Sequence, residues 1–251
     1  MTMSGLTAVV LGATGAVGEA LTNQLVVHPG FKRVITVGRR VVENVPAEPE
    51  RTAELVQTTV NMDAFEVEAK QALTGADIVF CALGTTRKAA GSADAYKKVD
   101  HGYVAASAKV AKEVGVPHFS LVSAQGANHK CPANNLPLFH PLLYIKTKGM
   151  AEQAVLEQGF ARVSIFRPGL LDRGDKTRGV EKMALCVLSH INVKDVARLM
   201  ILDAIRDPTT VQPIMYFEMD ELLKVVKAVD LPPGPSKLGQ EPNYPSIPPN
   251  F

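Results

Sequence analysis

Leu6-Thr7-Ala8-Val9-Val10-Leu11-Gly12-Ala13-Thr14-Gly15-Ala16-Val17-Gly18 is the stretch that decides the fold. Leu6–Leu11 is a short apolar, β-branched run, as expected of a buried strand. It ends in a glycine triplet, Gly12-x-x-Gly15-x-x-Gly18, that leads into a predicted helix over Ala16–Val27. His28-Pro29-Gly30 stops that helix. Glycines at this spacing permit a tight turn and let backbone N–H groups approach a pyrophosphate, and the helix N-terminus adds partial positive charge there. A glycine triplet alone is weak evidence. Its place between a strand and a helix at the head of the chain is what gives it weight.

Outward from this unit the pattern repeats. Further strands are predicted at Val34–Val37, Leu55–Val60, Asp77–Ala82, Phe119–Val122, Arg162–Phe166 and near Ile214–Phe217. Helices are predicted at Ala64–Leu73, as one long element over Ala93–Val114, and at Leu142–Gln158. Residues 41–53 and Gly126–Pro141 read as loops. Such alternation implies βαβ units with right-handed crossovers. The expected fold class is α/β, a Rossmann-type, doubly wound, mainly parallel sheet with helices on both faces. Residues 1–230 read as one NAD(P)-binding domain with small substrate-side elements at its C-terminal end. Residues 231–251 read as a Pro-rich tail.

The 251 residues are 46% hydrophobic and 21% charged, ordinary for a globular protein with a sizeable core. A formal net charge of +2 and the lack of long basic runs argue against nucleic acid as a partner. Cys81, Cys131 and Cys186 form no CxxC pair, which points to a reducing compartment and the cytoplasm. Neither a signal peptide nor a membrane span is read from the pattern. The six histidines show no ligand spacing, so no metal is expected.

Two features refine the cofactor and the chemistry. The second strand ends in Gly38-Arg39-Arg40, where NAD-selective sites place an acid for the ribose 2′-OH. Arginine forks suit a 2′-phosphate, so NADP(H) is preferred. Asn61-Met62-Asp63 follows the third strand, where an adenine-side loop would lie. Tyr144 and Lys148 sit four residues apart on a predicted helix and so share a face. A neighbouring ammonium favours a phenolate, which fits Tyr144 for general acid–base work on a carbonyl or an alcohol. Lys148 could also bond the nicotinamide ribose. Ser123 ends the fifth strand, at the edge where ligands bind open α/β sheets, and its hydroxyl could hold a substrate carbonyl.

The segments GATGAVG, VGRR, FCALGTTRKAAG, KKVDHGYV, HFSLVSAQGAN, YIKTKGMAE and FRPGLL together resemble the atypical short-chain dehydrogenase/reductases of the Tat-interacting-protein type. The resemblance covers about residues 6–205, and LGTTR followed by KxVD is its most specific part. It implies an NADPH-binding fold with contacts at Thr14, Gly15, Ala16 and Val17, at Arg39 and Arg40, at Leu83 and Gly84, and at Tyr144 and Lys148, to which the glycine triplet itself adds Gly12 and Gly18. Leu171 and Arg178 match less closely. It also implies that Tyr144 is the proton-accepting residue, and it brings expectations of a protein partner and of nuclear as well as cytoplasmic location. Two positions depart from the wider superfamily. Asp100 stands where many reductases carry a relay Asn, and Ala124 replaces the second serine after the fifth strand.

Three functions remain open on these grounds. The first is an NADP(H)-dependent oxidoreductase acting on an unknown small carbonyl or alcohol through Tyr144, Lys148 and Ser123. The second is an NADPH-binding regulatory or partner-binding protein with little or no turnover. The third, a sugar-nucleotide epimerase or dehydratase, ranks last because the short C-terminal third leaves little room for a nucleotide-sugar domain. Either a monomer or a homodimer is compatible with the sequence.

Overall fold

Both faces of the first strand are buried, and this organises the molecule. In the computed structural model, which describes residues 5–133, 140–174 and 189–228, β1 (Leu6–Leu11) lies at the centre of a seven-stranded sheet. The other strands are β2 (Phe31–Gly38), β3 (Glu54–Thr59), β4 (Ile78–Cys81), β5 (His118–Val122), β6 (Arg162–Arg167) and, beyond a small second sheet, β9 (Ile214–Glu218). Their order is β3-β2-β1-β4-β5-β6-β9, and every pairing is parallel. This is the doubly wound order, with its reversal between β1 and β4. Ligands bind such sheets beyond the strand C-termini at that reversal. The loops after β1, β2, β4 and β5 therefore frame the site.

The period of two along β1 sends Ala8 and Val10 into one core and Val9 and Leu11 into the other. The first core is closed by α1 (Ala16–Leu25), α8 (Val193–Ala204) and α9 (Met219–Ala228). On α1, Val17, Leu21 and Leu25 recur every fourth residue on the buried side. The second core is closed by the short helices α2 (Phe65–Glu68) and α3 (Lys70–Leu73), by α6 (Val104–Glu113) and by α7 (His140–Leu156). Among the described residues no helix is long and apolar enough to cross a membrane.

The expected helix over Ala93–Val114 is three pieces. After α4 (Arg87–Ala90) come α5 (Ala93–Lys97), a π-helical turn (Lys98–Tyr103), and then α6. Asp100, inside the wide turn, is fully buried and accepts from the Thr85 N–H at 2.7 Å. Such turns recur at functional sites because the extra residue re-aims one side chain. A two-stranded parallel pair, β7 (Leu170–Asp172) with β8 (His190–Asn192), was not expected. Each strand is too short to register as a periodic pattern. Arg178, Cys186 and the tail 231–251 lie outside the described residues.

At the opposite end of the sheet, where β5 and β6 begin, four polar side chains are buried together. Asp203 of α8 accepts from Arg162 and from Ser164, both at 2.6 Å, and His118 Nε2 lies 2.9 Å from Ser164 Oγ. Burial and the nearby Arg162 charge push the His118 imidazole down to about 3, so it is neutral there.

Candidate functional site: a dinucleotide crevice with a Tyr-Lys-Asp cluster

The turn after β1 can be built only from glycine. Gly12 has φ +78, and a Cβ there would lie 2.6 Å from the Ala82 carbonyl oxygen. A Cβ on Gly18 would lie 2.2 Å from the Gly12 oxygen, so α1 starts directly against the turn. Gly15 caps α1 without any side-chain hydrogen bond. The first bond of the helix runs from Glu19 N–H to the Gly15 carbonyl, leaving the N–H groups of Ala16, Val17 and Gly18 ahead of it without a helical partner. Thr14 and Gly15 are exposed beside them. A backbone cradle of this shape fits a pyrophosphate.

Arg39 and Arg40 follow β2 and are both exposed. The Arg39 charge is felt by Tyr103, whose phenol donates to Asp63 at 2.6 Å; Lys98 Nζ is 2.7 Å from the same carboxylate. The loop after β3 thus meets the basic end of β2.

At the other end of the crevice the wide turn faces α7. Lys148 Nζ lies 3.0 Å from Asp100 Oδ1, and both side chains are buried. A Cβ on Gly84 would come 3.4 Å from each of these two atoms, so the loop after β4 passes directly over the ion pair. Burial disfavours the Lys148 charge, but Asp100 and Tyr144 outweigh it and hold the ammonium above its usual range. Tyr144, one turn earlier, is 36% exposed. Its phenol is pushed up by burial; Lys148 and Arg173 pull it down and Asp100 adds to the rise, with a net shift upward.

The structure therefore brings Lys148, Asp100 and the Gly84 loop together one helical turn from Tyr144; Asp100, read from the sequence only as standing at a relay-Asn position, is the ion-pair partner of Lys148, and the bond from Thr85 N–H was not anticipated. Ser123 is buried, and its hydroxyl donates to Glu152 on α7. Glu152 is itself held by Arg167 through two bonds, at 2.9 and 2.6 Å, and Arg167 also reaches Glu218 at 2.6 Å. Glu152 and Arg167 lie in YIKTKGMAE and FRPGLL, but nothing along the chain joins them. Leu171 sits in β7, half-buried against the first core. Cys81, at the tip of β4, is fully buried, and desolvation pushes its thiol up to about 11, so it is a core residue.

α7 is fixed to the loop after β5 by close backbone contact. Asn128 N–H donates to the Ile145 carbonyl at 3.1 Å, and a Cβ on Gly149 would lie 2.2 Å from His129 N.

A family model described as NAD(P)H-binding matches residues 12–208. Protein HTATIP2 of Rattus norvegicus is 37% identical over 172 residues, which is 68% of this chain and 65% of the rat protein. The chain thus spans just under two thirds of that relative. Protein FMP52-1, mitochondrial, of Scheffersomyces stipitis is 38% identical over 189 residues, 74% of this chain and 77% of the yeast protein. Among solved structures, MoeE5 in complex with UDP-glucuronic acid and NAD superposes with a TM-score of 0.63 at 17% identity, over 85% of this chain and 76% of that one. A putative NAD-dependent epimerase/dehydratase from Bacillus halodurans gives 0.61 at 20% identity, over 90% of this chain and 100% of that one. At that identity the two structures speak for the fold alone. The glycine cradle, the strand order and these relatives agree: the chain belongs to the NAD(P)H-binding family and, within it, to the atypical short-chain dehydrogenase/reductases of the HTATIP2 type.

Proposed function

We propose that this protein is an NADP(H)-dependent oxidoreductase acting on a small carbonyl or alcohol, with Tyr144 as its proton-transfer residue. The observation that carries the reading is the placement of Tyr144. Its phenol is 36% exposed, one helical turn from Lys148, and feels the charges of both Lys148 and Asp100. The bound dinucleotide supplies or takes up the hydride. The protein's own residues hold it: Thr14 to Gly18 at the pyrophosphate, Leu83 and Gly84 along the ribose, and Lys148 at the nicotinamide end. Leu171 and Arg178 complete the set proposed to line it. Tyr144 gives or takes the proton at the substrate oxygen. Ser123 is the one hydroxyl at the tip of β5 in Val122-Ser123-Ala124. It has a single O–H, and it reaches a substrate oxygen only by giving up its bond to Glu152.

Selectivity for NADP(H) is read from Arg39 and Arg40, both exposed at the end of β2, where NAD-selective sites carry an acid instead. The Arg39→Ala/Arg40→Ala double variant should lose about 10- to 100-fold in affinity for NADPH, about 1.4–3 kcal/mol, and keep its affinity for NADH. Fluorescence titration of both nucleotides checks this, and equal binding of the two by wild type removes the preference.

Turnover is tested by a carbonyl screen with NADPH. Tyr144→Phe should lower kcat by about 100-fold or more, a far larger effect than its effect on nucleotide affinity. A second reading, an NADPH-binding regulatory or partner-binding protein, is favoured by the Asp100–Lys148 pair, which ties up the ammonium. No turnover of any carbonyl, or a Tyr144→Phe variant equal to wild type, decides for it. We assign the protein to the cytoplasm from its scattered thiols. The fungal relative carries mitochondrial in its name, and imaging of tagged full-length chain discriminates the two compartments.

A further inference from the structure

We infer that Asp100 keeps Tyr144 a proton donor: by holding Lys148 in a buried ion pair it offsets the charge that would draw off the Tyr144 proton, and so poises the site to protonate a carbonyl substrate. The inference rests on the reading of Tyr144 as the proton-transfer residue.

The argument begins with charge balance. An unpaired ammonium one turn from a tyrosine favours the phenolate, the form that oxidation of an alcohol needs. Here the ammonium faces a carboxylate 3.0 Å away. The carboxylate is 0% exposed and is held by the Thr85 N–H, so the pair is built into the fold. Opposite charges this close act on a third group as a dipole, and little net positive charge remains to draw the Tyr144 proton away.

Among the described residues, every element around the phenol agrees or is accounted for. From its own helix comes Lys148, already paired. The wide turn contributes Asp100, which disfavours a second negative charge. α5 contributes Tyr96, fully buried, whose hydroxyl has no hydrogen-bond partner among the described residues and whose own ionisation is pushed up by burial and by Asp100. Cys81 lies near Lys148 as a neutral thiol. Arg173, after β7, is the one further cation acting on Tyr144 among the described residues, and it does not reverse the balance.

The step is balanced as follows. The Tyr144 O–H bond breaks and its proton goes to the substrate carbonyl oxygen. The carbonyl carbon receives its hydrogen and electron pair from the reduced nicotinamide dinucleotide, which is thereby oxidised. The phenolate left behind regains a proton from water at its exposed edge. The equilibrium of the reaction is unaffected. What the pair changes is the share of phenolate, which it lowers at any given pH.

The test is the titration of Tyr144 in the full-length, nucleotide-free protein, followed by NMR of ring-labelled tyrosine and assigned with Tyr144→Phe. Wild type should titrate at or above the ordinary tyrosine value of about 10. Asp100→Asn, which keeps an acceptor for Thr85 N–H but removes the charge, should lower it by about 2 units, a 100-fold gain in phenolate at a given pH. Lys148→Met should raise it. The double variant Asp100→Asn/Lys148→Met carries neither charge and should return close to wild type. It also serves where a single variant with one buried charge does not fold. A wild-type value below about 8, or an Asp100→Asn value equal to wild type, overturns the inference. Failure of the enzyme reading is seen separately, as an absence of carbonyl turnover with this titration order intact.

Discussion

Asp203→Ala should lower the free energy of unfolding by about 3–5 kcal/mol, a large part of the roughly 5–15 kcal/mol that holds a domain of ordinary stability. Asp203 is 0% exposed and takes bonds from Arg162 Nη2 and Ser164 Oγ, each at 2.6 Å. Alanine removes the only carboxylate in that cluster. Arg162 is left with its charge buried and one remaining acceptor there, the residue-203 carbonyl, which it reaches at 2.6 Å. Ser164 and neutral His118 lose the centre of their network as well. The effect is one of desolvation more than of a missing attraction. The double variant Arg162→Met/Asp203→Leu should therefore be far more stable than Asp203→Ala, because it buries no charge at all. Urea denaturation of the three proteins at pH 7 reads this directly. A loss below about 1 kcal/mol for Asp203→Ala would show that Arg162 reaches solvent, contrary to its buried position.

Gly18→Ala should abolish dinucleotide binding, with affinity reduced more than about 100-fold, or about 3 kcal/mol. A methyl at this position lies 2.2 Å from the Gly12 oxygen and 2.7 Å from the Gly12 carbonyl carbon. Backbone cannot yield as a flexible side chain can. α1 must back away from the turn, and the N–H groups of Ala16 and Val17 move with it. Gly102→Ala is the matched control, since a methyl there approaches nothing closer than 4.0 Å and alanine suits a helical backbone. Calorimetric titration with NADPH alongside a melting curve separates lost binding from lost fold. Retained affinity in Gly18→Ala would mean that the pyrophosphate does not rest on this turn.

The parts of this architecture that are local were legible in one dimension. Leu6–Leu11 reads as a strand because all its residues are apolar or β-branched, and it is one because both sheet faces are covered. Tyr144 and Lys148 share a helical face at the spacing that sequence shows. What was missed is what depends on chain segments far apart. Asp100 and Lys148 are separated by most of a βαβ unit, and only the crossover sets them face to face. The wide turn at Lys98–Tyr103 leaves no periodic trace, because a single extra residue looks like an ordinary helix over so short a span. Ser123 was read from its place at the tip of β5. Its actual partner, Glu152, is chosen by Arg167, which arrives from β6.

Gly149 has a bearing on how tightly the Tyr144 helix is geared to the sheet. The backbone of Asn128 and His129 occupies the space where a side chain on α7 would otherwise project. Helix and loop therefore mesh like a tooth in a notch: α7 can neither roll about its axis nor slide along it without driving the β5 loop through its own backbone. The angular setting of Tyr144 and Lys148 toward the crevice is thus metered by a hydrogen atom outside the reacting set. Changes in distant loops can be absorbed, whereas a single added carbon at this notch throws the whole helix out of gear.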